Sequence, residues 1–261
     1  MTVNQWYSVR SNRKVAEETY ALRFSAPELA ETIKPGQFLN VRVTKEHDPL
    51  LRRPYSISNI YGDECEIVYA VEGRGTNILS RMDETSEIGV IGPLGNPFGM
   101  EKDYGTAVIM AGGIGVAPFP ILTTALKEMG KNTVTLVGAR NGTRLFTDGL
   151  ADPIVATDDG SAGYHGNVLD CFKAQVDLSS LDNPRIFACG PTPMLHAIQQ
   201  YALETGIQCE LSLETEMACG MGICQGCPIE SKSAPRKYSL VCTDGPCFEA
   251  DDIVFHQHTH A

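Results

Sequence analysis

Basic residues are scarce: 21 Lys and Arg stand against 32 Asp and Glu, a net charge of −11. Such a balance disfavours a nucleic-acid or anionic-membrane ligand, either of which needs a basic surface. It is compatible with a basic protein partner, although acidic solubility explains most of it. No apolar stretch reaches the roughly 18 residues that a transmembrane helix requires. The opening residues Met1-Thr2-Val3-Asn4-Gln5-Trp6 lack the charged-then-apolar pattern of a secretory signal. Repeats and low-complexity segments are absent as well, which excludes a solenoid. The nine cysteines form one cluster plus scattered singles, unlike the even framework of a short secreted disulfide protein. A reducing compartment, and with it a soluble cytoplasmic protein, is the expectation.

At 261 residues and 43% hydrophobic content, the chain is long enough for two domains and a small appendage, each with its own core. Residues 1–100 read as short strands at 21–24, 38–43, 55–60, 66–71 and 87–91, with a short helix at 77–81. Turn residues such as Pro35-Gly36, Asp48-Pro49 and Gly92-Pro93-Leu94-Gly95 separate them. Many brief strands at close spacing predict a small antiparallel barrel. From residue 101 to 206 the pattern changes. Ala107-Val108-Ile109-Met110-Ala111 is a continuous apolar run, as in a parallel strand covered on both faces, and helical spacing follows over 118–130 with a glycine stop. Strand character returns at 133–137, 154–156 and 185–188, and helical character at 168–175 and 192–204, which predicts a doubly wound α/β domain. The third region, 207–261, holds the clustered cysteines. It ends in the polar run His256-Gln257-His258-Thr259-His260, read as a frayed terminus rather than a metal site.

Cys219, Cys224, Cys227 and Cys242 are spaced C-x4-C-x2-C-x14-C. Three thiolates within nine residues converge on one small object only if the backbone folds tightly around it, and Gly220, Gly222 and Gly226 permit the positive φ this needs. The order is that of a plant-type ferredoxin loop, so a 2Fe-2S cluster is expected, with backbone N–H groups near the sulfides tuning its potential. Zinc is the rival, although its usual form is two separated knuckles. Cys247 is an alternative fourth ligand; Cys242 is preferred because it ends an apolar run just before the turn Thr243-Asp244-Gly245-Pro246. Cys65, Cys171 and Cys209 read as buried structural residues.

Three further motifs carry chemistry. In Arg52-Arg53-Pro54-Tyr55-Ser56-Ile57-Ser58, Arg53 offers a planar fork suited to a pyrophosphate, Tyr55 can lie against a flat ring, and Ser56 can bond a ring edge. Alone, the segment is also consistent with an ordinary half-buried strand. Ala111-Gly112-Gly113-Ile114-Gly115-Val116-Ala117-Pro118 lies between a strand and a helix and follows G-x-G-x-x-P, a form in which bare glycines let backbone N–H groups approach a phosphate. Cys189-Gly190-Pro191 ends an apolar strand at the carboxyl edge of the sheet, where open α/β sheets bind ligands.

Taken in order, Arg53-Pro54-Tyr55-Ser56, Gly113-x-Gly115-x-x-Pro118 and Cys189-Gly190-Pro191 resemble the signature of ferredoxin-NADP reductase-like flavoproteins. With the cysteine loop and the ending Val241-Cys242-x-Asp244-Gly245-Pro246, nearly the whole chain resembles the electron-transfer subunits of dihydroorotate dehydrogenase B. The resemblance implies an FAD-binding β-barrel, an NAD-binding α/β domain and a small 2Fe-2S region. It implies FAD contacts from Arg53, Pro54, Tyr55 and Ser56, a wall of Tyr69, Ala70 and Val71, and phosphate held by Gly75 and Thr76. Gly113 and Gly115 would face the NAD, Cys189 would stand near the nicotinamide, and Cys219, Cys224, Cys227 and Cys242 would bind the cluster. It further implies an FMN-containing dihydroorotate dehydrogenase catalytic subunit as partner, in a heterotetramer. Cys247 departs from the family, which commonly has an aliphatic residue there. Small subunits of sulfide dehydrogenases and of NADH-dependent ferredoxin:NADP oxidoreductases look similar, and a zinc-stapled nucleotide-binding scaffold is the non-redox alternative. Arg140 would suit a 2′-phosphate and Asp158-Asp159 would oppose one; NAD is favoured on the family likeness.

Overall fold

The structure, a computed structural model, describes residues 2–234 and 237–256. Of the histidine-bearing tail, only His256 falls among them. The first six strands are β1 (Val3–Ala16), β2 (Thr19–Ser25), β3 (Phe38–Arg42), β4 (Arg53–Tyr61), β5 (Glu64–Ala70) and β6 (Glu87–Leu94). They close an antiparallel barrel in the order β1-β2-β5-β4-β3-β6. Two short helices, α1 (Pro27–Ala30) and α2 (Arg74–Leu79), punctuate it. Alternate residues point inward, so Leu22 and Phe24, Leu39 and Val41, Ile57, Ile67 and Tyr69, Ile88 and Val90 share one core. Each such buried Leu, Ile, Val or Phe contributes about 1.5–3 kcal/mol relative to exposure.

β1 has no counterpart among the strands expected from the sequence. Its residues are mostly polar and only Tyr7 and Val9 are buried, so the alternation that marks a strand is faint. Its place is fixed instead by pairing on both edges: Val3 to Ser8 pair with β6, Val9 to Ala16 pair with β2, and a bulge between Val9 and Ser11 turns the strand from one neighbour to the other. Closing a barrel supplies hydrogen bonds that a polar sequence alone does not advertise.

The second half alternates β7 (Thr106–Gly112), α3 (Phe119–Glu128), β8 (Asn132–Ala139), β9 (Ile154–Thr157), β10 (Tyr164–His165), α4 (Val168–Gln175), β11 (Pro184–Cys189), α5 (Thr192–Thr205) and β12 (Gln208–Ser212). The sheet runs β10-β9-β8-β7-β11-β12 in parallel and ends on an antiparallel strand, β15 (Cys247–Glu249). Central β7 is buried along its whole length. Val108 and Met110 face Leu169, Phe172 and Ile198 of α4 and α5, while Ala107, Ile109 and Ala111 face Phe119, Leu122 and Leu126 of α3.

The cysteine region is built into this sheet. β12 hydrogen-bonds β11 from Arg185↔Gln208 to Cys189↔Ser212, and β15 returns against β12 after the hairpin of β13 (Pro228–Glu230) and β14 (Tyr238–Leu240). Cys227, Val241, Cys242 and Phe248 therefore belong to the same apolar cluster as β7 and α5. A buried charge cluster fixes this edge. Arg185, with a fully buried side chain, meets Glu210 at 3.0 Å and Glu249 at 2.5 Å, and its Nη1 donates to Gln208 Oε1 at 2.8 Å. Burial raises the Glu210 carboxyl, against the Gly99 N–H and Arg185, which favour its charged form.

Removing Arg185 leaves Glu210 buried without its counter-ion. Arg185→Met is expected to lower stability by about 3–5 kcal/mol in urea unfolding. Lys102→Met, which removes the exposed partner of Glu249, is expected to cost about 1 kcal/mol or less. Equal effects from the two substitutions would contradict this account of the sheet edge.

Candidate functional site

A cavity of about 280 Å³ lies where the barrel meets the sheet edge. Arg53, Pro54, Tyr55 and Ser56 of β4 form one wall and Tyr69 and Ala70 of β5 another, while Ser212, Leu213, Glu214, Thr215 and Met217 close it from the cysteine region. Pro54 starts the run without a backbone N–H, and the guanidinium of Arg52 reaches the Asn40 carbonyl at 3.4 Å and that of Gly89 at 2.6 Å. The Tyr55 hydroxyl is buried with no partner, as is Thr215 Oγ1. Burial pushes the Tyr55 hydroxyl up to about 12, with Arg53 opposing. An unpaired buried hydroxyl costs about 1–3 kcal/mol, so the two atoms mark places where a polar ligand belongs. A flavin, flat and edged with donors and acceptors, fits a cavity so walled.

The other residues implied for this site fall differently. Tyr69 is buried with its hydroxyl donating to Asn12 Oδ1 at 3.1 Å, and its ring meets Tyr55 edge-on at 6.0 Å. Val71 lines neither this cavity nor the larger cleft beside it; it packs on the barrel core, and its N–H donates to the Glu18 carbonyl at 2.7 Å. Gly75 lies under Arg53, where a Cβ would come within 2.5 Å of Nε. Thr76 lines the cavity, but its hydroxyl already accepts from the N–H groups of Glu72 and Gly73 at 3.0 Å, fixing the turn into α2.

A larger cleft, about 930 Å³, opens at the carboxyl edge of the parallel sheet. Its floor is the loop after β7, facing Gly190 and Pro191 after β11. Gly113 has φ +56° with open space where a side chain would stand, and Gly115 packs so closely that a Cβ would lie 2.5 Å from the Cys189 carbonyl. These glycines leave room for a diphosphate against bare backbone. Arg140 and Asp158 both line the far end. The Cys189 thiol does not reach the cleft. It is 1% exposed and lines neither cavity, and burial, reinforced by the Glu214 charge, drives it well above the usual thiol range.

Ala70, Glu72, Ile114 and Glu214 line both cavities, so the two lie side by side in the space between barrel and sheet. Glu214 is surrounded by protein yet open to this space; burial raises its carboxyl, and Glu72 adds to the effect. None of Glu72, Glu214 and Thr215 stood out in the sequence. For Glu214 and Thr215 the missing signal was β12: once it is recognised as a sheet strand, both sit just past its carboxyl end, where such sheets bind ligands.

Next to this space, the four cysteines stand in two pairs. The Cys227 and Cys242 sulfurs are 3.1 Å apart, and the Cys224 N–H donates to Cys219 Sγ at 3.4 Å. The N–H groups of Met221 and Gly222 point at Cys219 Sγ and Cys242 Sγ, at 3.5 and 3.2 Å. Gly220 and Gly222, at φ +70° and +81°, make the turns that aim them. Against burial, which raises it, the N–H donors of Cys224 and Met221 hold the Cys219 thiol down at about 7. Among the described residues, no three His, Cys, Asp or Glu side chains are gathered as the shell of a single ion. Two thiol pairs under directed N–H groups suit a cluster of two metals. Cys247 lies elsewhere, buried against the Gly36 carbonyl at 3.8 Å. Cys65, Cys171 and Cys209 are buried.

A family model described as the iron-sulfur cluster binding domain of dihydroorotate dehydrogenase B matches residues 214–254. The electron-transfer subunit of dihydroorotate dehydrogenase B (NAD(+)) from Bacillus caldolyticus is 37% identical over 255 residues, covering 95% of this chain and 97% of that protein. Its namesake from Fusobacterium nucleatum subsp. nucleatum is 34% identical, covering 94% and 96%. Among solved structures, an NADH-dependent reduced ferredoxin-NADP oxidoreductase, studied for flavin-based electron bifurcation, superposes with a TM-score of 0.84 at 28% identity, over 95% of this chain and 89% of that one. Phthalate dioxygenase reductase shares the fold, with a TM-score of 0.62 at 15% identity over 94% and 76%.

The two glycines of the cleft floor separate folding from binding. Gly113→Ala places a side chain in left-handed backbone at a cost of about 1–2 kcal/mol. Gly115→Ala drives a methyl into the Cys189 carbonyl and should weaken NADH binding at least about tenfold in a fluorescence titration, equivalent to about 1.4 kcal/mol. Unchanged affinity in Gly115→Ala would show that the close approach is unnecessary.

Proposed function

We infer the function from a single premise: this chain belongs to the family of electron-transfer subunits of dihydroorotate dehydrogenase B. Its work is to pass electrons between a dihydroorotate-oxidising partner subunit and NAD+, through a 2Fe-2S cluster and FAD. Oxidation of dihydroorotate releases two electrons, and reduction of NAD+ to NADH takes up the same two with one proton. When bound, FAD supplies the ability to exchange two electrons as hydride on one side and single electrons on the other. The observation that carries this reading is the adjacency of the two cavities, which have Ala70, Glu72, Ile114 and Glu214 in common.

The chain's own residues bind and orient. Under this proposal Arg53 holds the FAD diphosphate, and Tyr55, Ser56 and Thr215, which line the cavity, bond the flavin. Tyr69 and Ala70 back the ring. Gly113 and Gly115 admit the NAD diphosphate, and Cys189, through its backbone, sets the height of the floor beneath the nicotinamide. Cys219 and Cys224 hold one iron, and Cys227 and Cys242 the other. Arg140 and Asp158 line the same cleft with opposite preferences for a 2′-phosphate, and NAD is taken from the family likeness. Nine free cysteines are best kept in a reducing cytoplasm. No helix among the described residues is long and apolar enough to cross a membrane.

The FMN-containing catalytic subunit, in a heterotetramer, is proposed to dock over the cysteine loop. Ile223 is 77% exposed and Met221 37%, flanking exposed Cys224. Grouped beside the cluster thiols, these apolar side chains offer a contact that a partner can cover. The ferredoxin-NADP oxidoreductase reading rests on 28% identity and is weaker than the 33–37% shared with this family.

Two assays separate the parts of the proposal. The isolated chain is expected to oxidise NADH with an artificial acceptor but not to oxidise dihydroorotate until the FMN subunit is added; dihydroorotate oxidation by the chain alone would refute it. Ile223→Glu is expected to cut dihydroorotate-dependent NAD+ reduction on the order of tenfold or more, by weakening a central apolar contact, while leaving the NADH-to-acceptor rate unchanged.

A further inference from the structure

Asn40 is 1% exposed, in the middle of β3. Its amide Nδ2 donates to the carbonyl of Cys219 at 2.9 Å, across 179 residues of sequence. The fit is tight: a Cβ on Gly220 would lie 2.6 Å from that nitrogen. On the strand, Asn40 stands in register with Pro54, inside the run Arg53-Pro54-Tyr55-Ser56 that walls the flavin cavity. One residue thus touches the first cysteine of the cluster loop with its side chain and the flavin-binding strand with its backbone.

The other half of the amide sharpens the point. Asn40 Oδ1 is buried with no partner. A leucine of similar size would remove this unpaired acceptor at the cost of one bond to the Cys219 carbonyl, so the asparagine is kept for that bond rather than for filling the core. What the amide gains is the single bond to Cys219. The cysteine loop has no regular secondary structure from residue 213 to 227, so nothing in its own backbone ladder fixes where its thiols stand.

We propose that Asn40 is a positioning residue that holds the Cys219 end of the cluster loop at a set distance from the flavin, and so governs the rate of electron transfer between the two centres. This rests on the FAD and cluster reading given above. In the step concerned, one electron leaves the reduced cluster and one arrives on the flavin; no bond between heavy atoms forms or breaks. Transfer of this kind falls steeply with separation, so a loop freed to drift slows it without touching either cofactor.

The test uses Asn40→Leu and Asn40→Asp in the complex with the catalytic subunit. The aspartate keeps the shape but replaces the donor with a charge that repels the Cys219 carbonyl. Iron and flavin content are measured first. Rapid-mixing absorbance then follows the transfer between cluster and flavin, and electron paramagnetic resonance reads the magnetic interaction between the two centres at half reduction. Fully loaded variants are expected to transfer several-fold more slowly, with a weaker magnetic interaction and unchanged NADH-to-acceptor turnover. Loaded variants with wild-type transfer and wild-type interaction overturn the proposal. Should the leucine variant lose iron, the aspartate variant decides. Wild-type protein free of both iron and flavin would instead sink the underlying reading.

Discussion

A stretch of chain that gathers four thiols from the ends of an irregular loop cannot hold its own shape, and everything this protein does depends on where that loop rests against the barrel. Its apolar side chains Met221 and Ile223 point outward rather than into a core. What anchors it is a set of hydrogen bonds to the rim of β3 and β6. Asn40 holds the Cys219 carbonyl, Asn96 Nδ2 donates to the carbonyls of Thr243 and Asp244 at 3.3 and 2.8 Å, and the Asn96 N–H donates to the Gly245 carbonyl at 2.6 Å. The first and last cysteines are thus tied to the same barrel that walls the flavin cavity. Directed hydrogen bonds worth about 0.5–1.5 kcal/mol each would be a weak foundation for a whole domain. They suffice here because β12 and β15 carry the bulk of the region's burial within the sheet.

The same economy of space governs the nucleotide side. Gly115 touches the Cys189 carbonyl, and Gly112 lies so near Met194 that a Cβ would come within 2.4 Å of its sulfur. The loops after β7 and β11 therefore pack backbone against backbone, and the cleft floor is peptide rather than side chain. A floor of this kind offers N–H groups to a diphosphate but brings no thiol to the surface. That is why Cys189, placed near the reacting ring by family likeness, is found beneath the floor.

Much of this was legible in the sequence. The continuous apolar run of β7, the glycines after it and the C-x4-C-x2-C spacing each have one dominant physical reading, and 168–175 matches α4 to the residue. The β1 strand was not legible because its own alternation is too polar and β6, the partner of its first half, lies far along the chain. Thr76 shows a subtler limit: the residue type suits a phosphate or a turn equally well, and only the N–H groups of Glu72 and Gly73 show its hydroxyl occupied. The choice between Cys242 and Cys247 likewise needed space rather than spacing. Only four residues separate them, yet one faces Cys227 and the other faces Gly36.

The Arg185 cluster shows why the cysteine region is fused to the sheet and not merely tethered. Its charges come from β11, β12 and β15, the strands on either side of the cysteine loop in sequence. Buried ion pairs of this kind often add little net stability over a well-packed apolar core, because desolvation offsets attraction. What they add is register: a one-residue slip of β15 would carry Glu249 away from Arg185 and flip Cys247 and Phe248 to the opposite faces. β15 follows Cys242 by only five residues, so a slip there would drag the last thiol with it. An arginine that tolerates only one alignment of three strands therefore also fixes the position of the second thiol pair, from a distance and without touching it.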